Sequence, residues 1–170
     1  MLRESLEAGR RTFGDSNPEY AVRLNNLAIS VEMQGRLEEA QKMLEQAVRI
    51  ARPQLTDEHP RVAVFMVNLA RVQIGRGHGA EAEPALRHVL KLRERILPAG
   101  HWRIAQAQSL LGASLLAQAR YAEAEPLMVA AVSGLAPLPG QQNRERVANR
   151  ARLVTLYEKL GRAQQADTYR

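Results

Sequence analysis

The sequence predicts an all-α protein built as an array of repeated helix pairs, and two observations support this prediction. First, the pattern Asn17-Pro18, Leu27-Ala28 and Gly35 returns at intervals of 42 residues, and no insertion or deletion disturbs the register as far as residue 170. Self-similarity with a period between about 20 and 50 residues is typical of solenoids. Second, each unit contains two stretches whose apolar residues recur every three or four positions, as on one face of a helix.

The register divides residues 1–170 into one array. Its parts are 1–16, the second helix of an incomplete repeat; 17–58, 59–100 and 101–142, which are repeats 1 to 3; and 143–170, a partial repeat 4. Repeat arrays need polar capping ends to cover their stacking faces. We therefore expect this chain to be a window from a longer array. The alternative is a short protein with frayed ends.

The first helix of each repeat is predicted to begin after an N-cap residue. Asn17-Pro18 and His59-Pro60 both place a capping side chain before a proline at the first helical position. Glycine, which adopts the left-handed conformation at low cost, stands at the predicted end of three of these helices (Gly35, Gly77 and Gly161). Ala119 takes this place in the third repeat, where we expect a more strained turn.

The second helix of the first repeat is predicted from about Leu37 to Ala51, and the last second helix from Ala163 to Arg170. Pro84 and Pro126 occupy matching places in the next two repeats. A missing N–H costs no hydrogen bond in the first turn, so we place both prolines there. The nearby glutamates are also assigned to the first turn, where the helix dipole favours negative charge: Glu38, Glu39, Glu81, Glu83, Glu123 and Glu125.

The composition excludes several classes of function. The chain has no cysteine, so neither a disulfide framework nor a thiol nucleophile is available. Its formal net charge of +6 is compatible with nucleic-acid binding, but arginines stand beside glutamates throughout and aromatic residues make up only 4%. A solvated repeat surface is therefore favoured over a nucleic-acid site. No apolar run approaches the about 20 residues that span a bilayer, and we expect a cytoplasmic protein.

The sequence contains no recognisable catalytic, cofactor-binding or metal-binding pattern. His59 and His101 are repeat equivalents, which favours helix capping over metal binding. Neither a phosphate-binding glycine loop nor a kinase catalytic motif is present. We therefore expect a protein that is not an enzyme and that needs no cofactor or metal.

The pairing of Leu27-Ala28 with Ala40, Leu44 and Ala47 resembles the tetratricopeptide repeat, and the 42-residue period with His-Pro-x-x-Ala is similar to the kinesin light chain subclass. The resemblance implies a right-handed α-solenoid of antiparallel helix pairs. Residues 110–113 together with 121–127, and also residues 156–162, resemble the repeat tails of bacterial serine/threonine kinases.

The resemblance also implies that the first helices line a concave groove that binds a peptide or a helix. The predicted groove residues are Asn25, Asn26, Ile29, Val67, Asn68, Arg71, Ser109, Leu110 and Arg152. In the family, an asparagine in the place of Asn26 and Asn68 commonly bonds the backbone of an extended peptide. The alternative is that these asparagines bridge neighbouring helices.

We therefore expect a non-catalytic scaffold for a protein or peptide partner, with no nucleic-acid or membrane partner. One alternative is a regulatory or substrate-recruiting segment of a bacterial serine/threonine kinase or signalling protein. The other is a self-assembly module in which uncapped array ends join copies of the chain.

Overall fold

The computed structural model describes residues 17–136 and 142–170, and all regular structure in these two stretches is helical. The helices are α1 (Pro18–Met33), α2 (Leu37–Ala51), α3 (Pro60–Gly75), α4 (Gly79–Ile96), α5 (Trp102–Ala117), α6 (Tyr121–Leu135), α7 (Gln142–Lys159) and α8 (Ala163–Asp167). The all-α prediction is confirmed. The second helix predicted in 1–16 lies outside the described residues, as do residues 137–141.

The chain forms two compact units, one ending at Arg76 and containing α1–α3, the other starting at Gly77 and containing α4–α8. In each unit, first and second helices alternate along the chain, and the two helices of one repeat are joined by a short turn. Among the described helices, none combines the length and the apolar character that a membrane span requires.

The core of the first unit forms where α1 crosses α2. Leu27, Ala28 and Val31 of α1 are buried against Ala40 and Leu44 of α2, and Val72 of α3 joins the same cluster. Ala28 and Ala40 have no exposed surface. Because both side chains are single methyl groups, the two helices approach closely at this point.

In the second unit a glycine occupies the equivalent crossing of α5 and α6. Gly112 occupies the repeat position of Ala28, and a Cβ placed on it would lie 2.5 Å from Cγ of Met128. Met128 has no exposed surface and occupies the repeat position of Leu44. The unbranched methionine thus occupies the space that a Cβ at position 112 would need.

The predicted helix caps are confirmed. Oδ1 of Asn17 accepts a hydrogen bond from the backbone N–H of Glu19 at 2.8 Å. Nδ1 of His59 and Nδ1 of His101 each accept from the N–H two residues later at 3.1 Å. Three first helices therefore begin on a side chain that satisfies one of their otherwise unpaired N–H groups.

The turns after the first helices are left-handed, as predicted. Gly35 has φ +76°, and Ala119 has φ +57° at the equivalent position of the third repeat. A left-handed conformation costs a residue with a Cβ about 1–2 kcal/mol. The strain predicted at Ala119 is present in the backbone.

The predicted positions of the two prolines in the second helices are wrong. Pro84 is the sixth residue of α4 and Pro126 the sixth of α6, so both lie in the second turn. Each proline leaves the carbonyl four residues earlier without its helical donor. Those carbonyls belong to Ala80 and Ala122, which are exposed, so water can take the missing donor's place.

The assignment of all glutamates to the first turn is also wrong in part. Glu81 and Glu123 lie there, but Glu83 and Glu125 are the fifth residues of their helices and lie in the second turn. The last helix, predicted to reach Arg170, ends at Asp167.

Candidate peptide-binding surface

Three asparagine side chains form a chain of hydrogen bonds between α1 and α3. Nδ2 of Asn68 donates to Oδ1 of Asn25 at 2.8 Å. Nδ2 of Asn25 then donates to Oδ1 of Asn26 at 3.2 Å. Asn25 and Asn68 are only 4% and 7% exposed, whereas Asn26 is an exposed residue. We call these three residues the amide relay: one buried amide donates to a second, and the second donates to the oxygen of a third at the surface.

The exposed end of the amide relay retains unused hydrogen-bonding capacity. An asparagine amide has two N–H donors and one oxygen with two lone pairs. Within the relay, the Asn26 oxygen accepts one hydrogen bond, and the two N–H donors of the Asn26 amide take no part. Ile29 and Ser30, both half-buried, follow one turn later on the same face of α1. The surface therefore offers an oriented amide beside an apolar side chain.

Two ion pairs hold α1 against α3 on either side of the amide relay. Arg71 donates through Nε and Nη2 to the two carboxylate oxygens of Glu32, at 2.9 and 2.8 Å. These side chains are only 23% and 12% exposed, and a bidentate pair of this kind is stronger than a single contact. Arg61 bonds Glu19 at 2.6 Å nearer the start of both helices. The two helices are thus fixed at both ends and in the middle.

In the second unit, two of the predicted groove residues contact each other. Ser109 and Leu110 have no exposed surface. Nη1 of Arg152 donates to Oγ of Ser109 at 3.0 Å, across the same 43-residue separation as the bond from Asn68 to Asn25. This contact joins α5 to α7, so these residues connect neighbouring first helices.

The structure thus separates the predicted groove residues into two groups. Five lie in the interior: Asn25, Val67, Asn68, Ser109 and Leu110. Four keep accessible surface: Asn26, Ile29, Arg71 and Arg152. For Asn68 the arrangement is that of the bridging alternative, since its side chain donates from α3 to Asn25 of α1, whereas Asn26 accepts its bond from Asn25 on the same helix. Peptide binding by any of the nine stays a prediction.

Sequence reasoning missed a charged cluster that joins α4 to the turn between α5 and α6. Glu83, whose side chain is 14% exposed, accepts hydrogen bonds from Arg87 at 2.9 Å, Arg120 at 2.7 Å and Gln118 at 2.8 Å. The bond from Gln118, followed by those from the two arginines, holds the pKa of Glu83 below its usual value, against the opposing effect of burial. The i, i+4 spacing of Glu83 and Arg87 was the available signal.

A buried arginine was also missed. Arg93 of α4 is 4% exposed and donates to the backbone oxygen of Arg103 and to Oε1 of Gln106. Its described partners include no carboxylate. Burial, followed by the charge of Arg103, lowers the pKa of Arg93 to about 10. The equivalent residues in the other repeats, Ala51 and Leu135, are apolar and fully buried.

Across residues 17–136 and 142–170, no group of three or more His, Asp or Glu side chains is placed to hold a metal ion. The polar clusters of this part of the chain are instead amides and ion pairs that connect helices.

The chain is similar to known repeat proteins. Residues 1–52 and 32–95 match the family model described as tetratricopeptide repeat. Among solved structures, a putative kinesin light chain with nearly identical TPR-like repeats from Podosopora anserina is 25% identical, with a TM-score of 0.77 over 99% of this chain and 80% of that one.

Two more distant likenesses show the fold alone. BtubC (BKLC) from P. vanneervenii is 20% identical, with a TM-score of 0.76 over 99% of this chain and 67% of that one. MamA from Desulfovibrio magneticus RS-1 is 14% identical, with a TM-score of 0.62 over 99% of this chain and 88% of that one. No curated protein sequence matches the chain.

Proposed function

The chain belongs to the tetratricopeptide repeat family, and we propose that its first unit binds an extended peptide segment of a protein partner along α1, with Asn26 contacting the peptide backbone. Repeats of this family generally mediate protein–protein interaction. The observation that supports the proposal is the amide relay, which orients one exposed amide by means of two buried ones.

The amide of Asn26 suits a peptide backbone because it offers both a donor and an acceptor. Its oxygen is held by Asn25, so its N–H groups point to a defined side of that oxygen. A preoriented group loses less side-chain freedom on binding than a mobile one, which increases the affinity gained from the same hydrogen bond.

Ile29 supplies the apolar contact of the proposed site. It lies three residues after Asn26 and is half-buried, so a peptide side chain packed on it removes further apolar surface from water. The partner we propose therefore combines an extended backbone with an apolar side chain next to the residue bonded by Asn26. Asn25 and Asn68 act through Asn26 and do not touch the peptide.

A selection from a random peptide library, followed by calorimetry on the selected peptides, tests this proposal. We expect Asn26→Ala to weaken peptide binding by about 2–10-fold, the range for one lost hydrogen bond of about 0.5–1.5 kcal/mol. Gln46→Ala is the matched control, since Gln46 is an exposed amide on the second helix of the same pair. If both variants lose the same peptide affinity, or if Asn26→Ala loses none, then α1 is not the binding surface.

Attachment of this array to a bacterial kinase or signalling protein is a further proposal that comes from the sequence. A catalytic domain encoded in the same reading frame would support it, and its absence there would reject it.

A further inference from the structure

The guanidinium of Arg93, near the end of α4, uses only part of its hydrogen-bonding capacity. Nη1 donates to the backbone oxygen of Arg103 at 2.5 Å and to Oε1 of Gln106 at 3.2 Å. Nε and Nη2 have no acceptor among the described residues, although Arg93 is only 4% exposed. These two nitrogen atoms are not fully enclosed, since neither belongs to the buried side-chain atoms without a partner. An ion from solvent can therefore reach N–H donors that the described residues leave unused.

A second guanidinium without a carboxylate partner lies at the start of α5. Arg103 is the repeat equivalent of Arg61, which bonds Glu19 at 2.6 Å in the first unit. In the described part of the chain, the guanidinium of Arg103 bonds no acidic side chain and lies 5.3 Å from the ring centroid of Trp102. Arg103 is exposed, so its N–H donors are open to solvent.

The two arginines are close enough to repel each other. Burial, followed by the positive charge of Arg103, lowers the pKa of Arg93. A buried cation without a counter-ion destabilises a fold. Packing does not require a cation at this position, because the equivalent residues Ala51 and Leu135 are apolar and fully buried. The pair therefore has the electrostatic character of an anion-binding site.

The neighbouring side chains add further N–H donors. Nδ1 of His101 accepts from the backbone N–H of Arg103 at 3.1 Å, so the neutral imidazole carries its proton on Nε2. His101 also stacks on Trp102, with ring centroids 6.0 Å apart, and the indole nitrogen of Trp102 is a donor only. Donors grouped around two cations suit an oxyanion, and planar guanidinium groups match the geometry of phosphate.

We propose that Arg93 and Arg103 bind a phosphate group that carries two negative charges, at the point where the end of α4 meets the start of α5. Two positive charges balance a dianion, whereas a single carboxylate would balance only one of them. A phosphorylated side chain carries a charge of about −1.5 to −2 at pH 7 and offers three acceptor oxygens. Inorganic phosphate presents the same kind of oxygen. This site lies in the second unit and does not depend on peptide binding along α1.

Trp102 reports on the proposed site because it is the single tryptophan of the chain and contacts Arg103. We expect inorganic phosphate, added at constant ionic strength, to change the tryptophan fluorescence until the site is saturated. Arg103→Gln and Arg93→Leu should each weaken phosphate binding by about 10–100-fold, the range for hydrogen bonds to a charged group. Lys91→Gln is the matched control, since it removes one positive charge at an exposed position of α4.

Thermal unfolding followed by circular dichroism gives a readout that does not use the tryptophan. Phosphate stabilises folded proteins in general by exclusion from their surface, and a ligand that binds only the folded state stabilises it further. We therefore expect phosphate to raise the midpoint of the natural chain more than that of Arg93→Leu. Leucine is the residue at the equivalent position 135, so this variant should keep the fold.

A phosphoserine peptide and its unphosphorylated twin distinguish the two sources of the phosphate group. If the phosphopeptide binds more tightly than inorganic phosphate, the ligand is a phosphorylated protein segment. If it binds no more tightly, the ligand is free phosphate or a small phosphate ester. Both results support the site.

Three results would overturn the proposal. The first is a fluorescence response to phosphate no larger than the response to chloride at the same ionic strength. The second is equal phosphate affinity in Arg103→Gln, Arg93→Leu and the Lys91→Gln control. The third is binding of acetate as tight as that of phosphate, which would show that the site does not select a dianion.

Discussion

Replacing the two buried asparagines singly and together tests whether they serve the fold. Asn25 and Asn68 bond each other at 2.8 Å with only 4% and 7% of their surface exposed. Asn68→Leu leaves the Asn25 oxygen without its donor, and Asn25→Val leaves the Asn68 donor without its acceptor. A buried polar group left unsatisfied costs about 1–3 kcal/mol.

The double variant should cost much less than the sum of the two single changes. Val67 and Leu110 occupy the same two repeat positions one repeat later, and both are buried. Valine and leucine therefore have a precedent at these positions within the chain. Replacing both members of a hydrogen-bonded pair by apolar groups can be nearly neutral, so we expect a coupling free energy of about 1–3 kcal/mol.

Urea unfolding followed by helical circular dichroism measures these effects. With a denaturant dependence of about 2 kcal/mol/M, a loss of about 2 kcal/mol lowers the midpoint by about 1 M. Each single variant should show a shift of this size, and the double variant should return towards the natural midpoint. Strictly additive single effects would show that the two amides do not depend on each other and would refute this interpretation of the contact.

Three further predictions concern the second unit. Gly112→Ala should lower the thermal midpoint because the added Cβ lies 2.5 Å from Cγ of Met128. Adding Met128→Leu, which reproduces the alanine–leucine pair of the first repeat, should restore the midpoint. A single variant with an unchanged midpoint would contradict this prediction. Arg93→Leu should raise the unfolding free energy by about 1–3 kcal/mol, since a buried cation without a carboxylate is replaced by an apolar group. Lys91→Leu, at an exposed position of the same helix, is the control. A lowered unfolding midpoint for Arg93→Leu would contradict this prediction. Glu83→Gln should lower the unfolding free energy at neutral pH, and its difference from the natural chain should shrink as the pH falls below 4.5. The reason is that the lowered pKa of Glu83 contributes stability only while the carboxylate is ionised. A difference in unfolding free energy that stays constant down to acid pH would exclude this cause.

The repeat register predicted most of the fold because local chemistry determines where these helices begin and end. Asn17, His59 and His101 cap first helices, and the second helix placed at Leu37 to Ala51 has those bounds. The error at Pro84 arose from treating a preference for the first turn as a rule. The exposed carbonyl of Ala80, in the first turn, can bond to water instead, so a proline in the second turn is tolerated.

The candidate site was less predictable because periodicity does not specify side-chain partners. Asn25 and Asn26 are adjacent, and their side chains project about 100° apart around the helix. Which of them faces α3 depends on how the two helices pack, and the sequence pattern leaves that open. The same applies to Arg71, since its partner Glu32 lies 39 residues away in the chain.

Nuclear magnetic resonance of the asparagine side-chain amides, during titration with a selected peptide, is the most direct test of the proposed binding mode. We expect the Nδ2 resonances of Asn26 to shift on binding. The buried amides of Asn25 and Asn68 should keep their slow exchange with solvent in both states. Peptide binding that leaves Asn26 unchanged, or that exposes the two buried amides to exchange, would contradict the account.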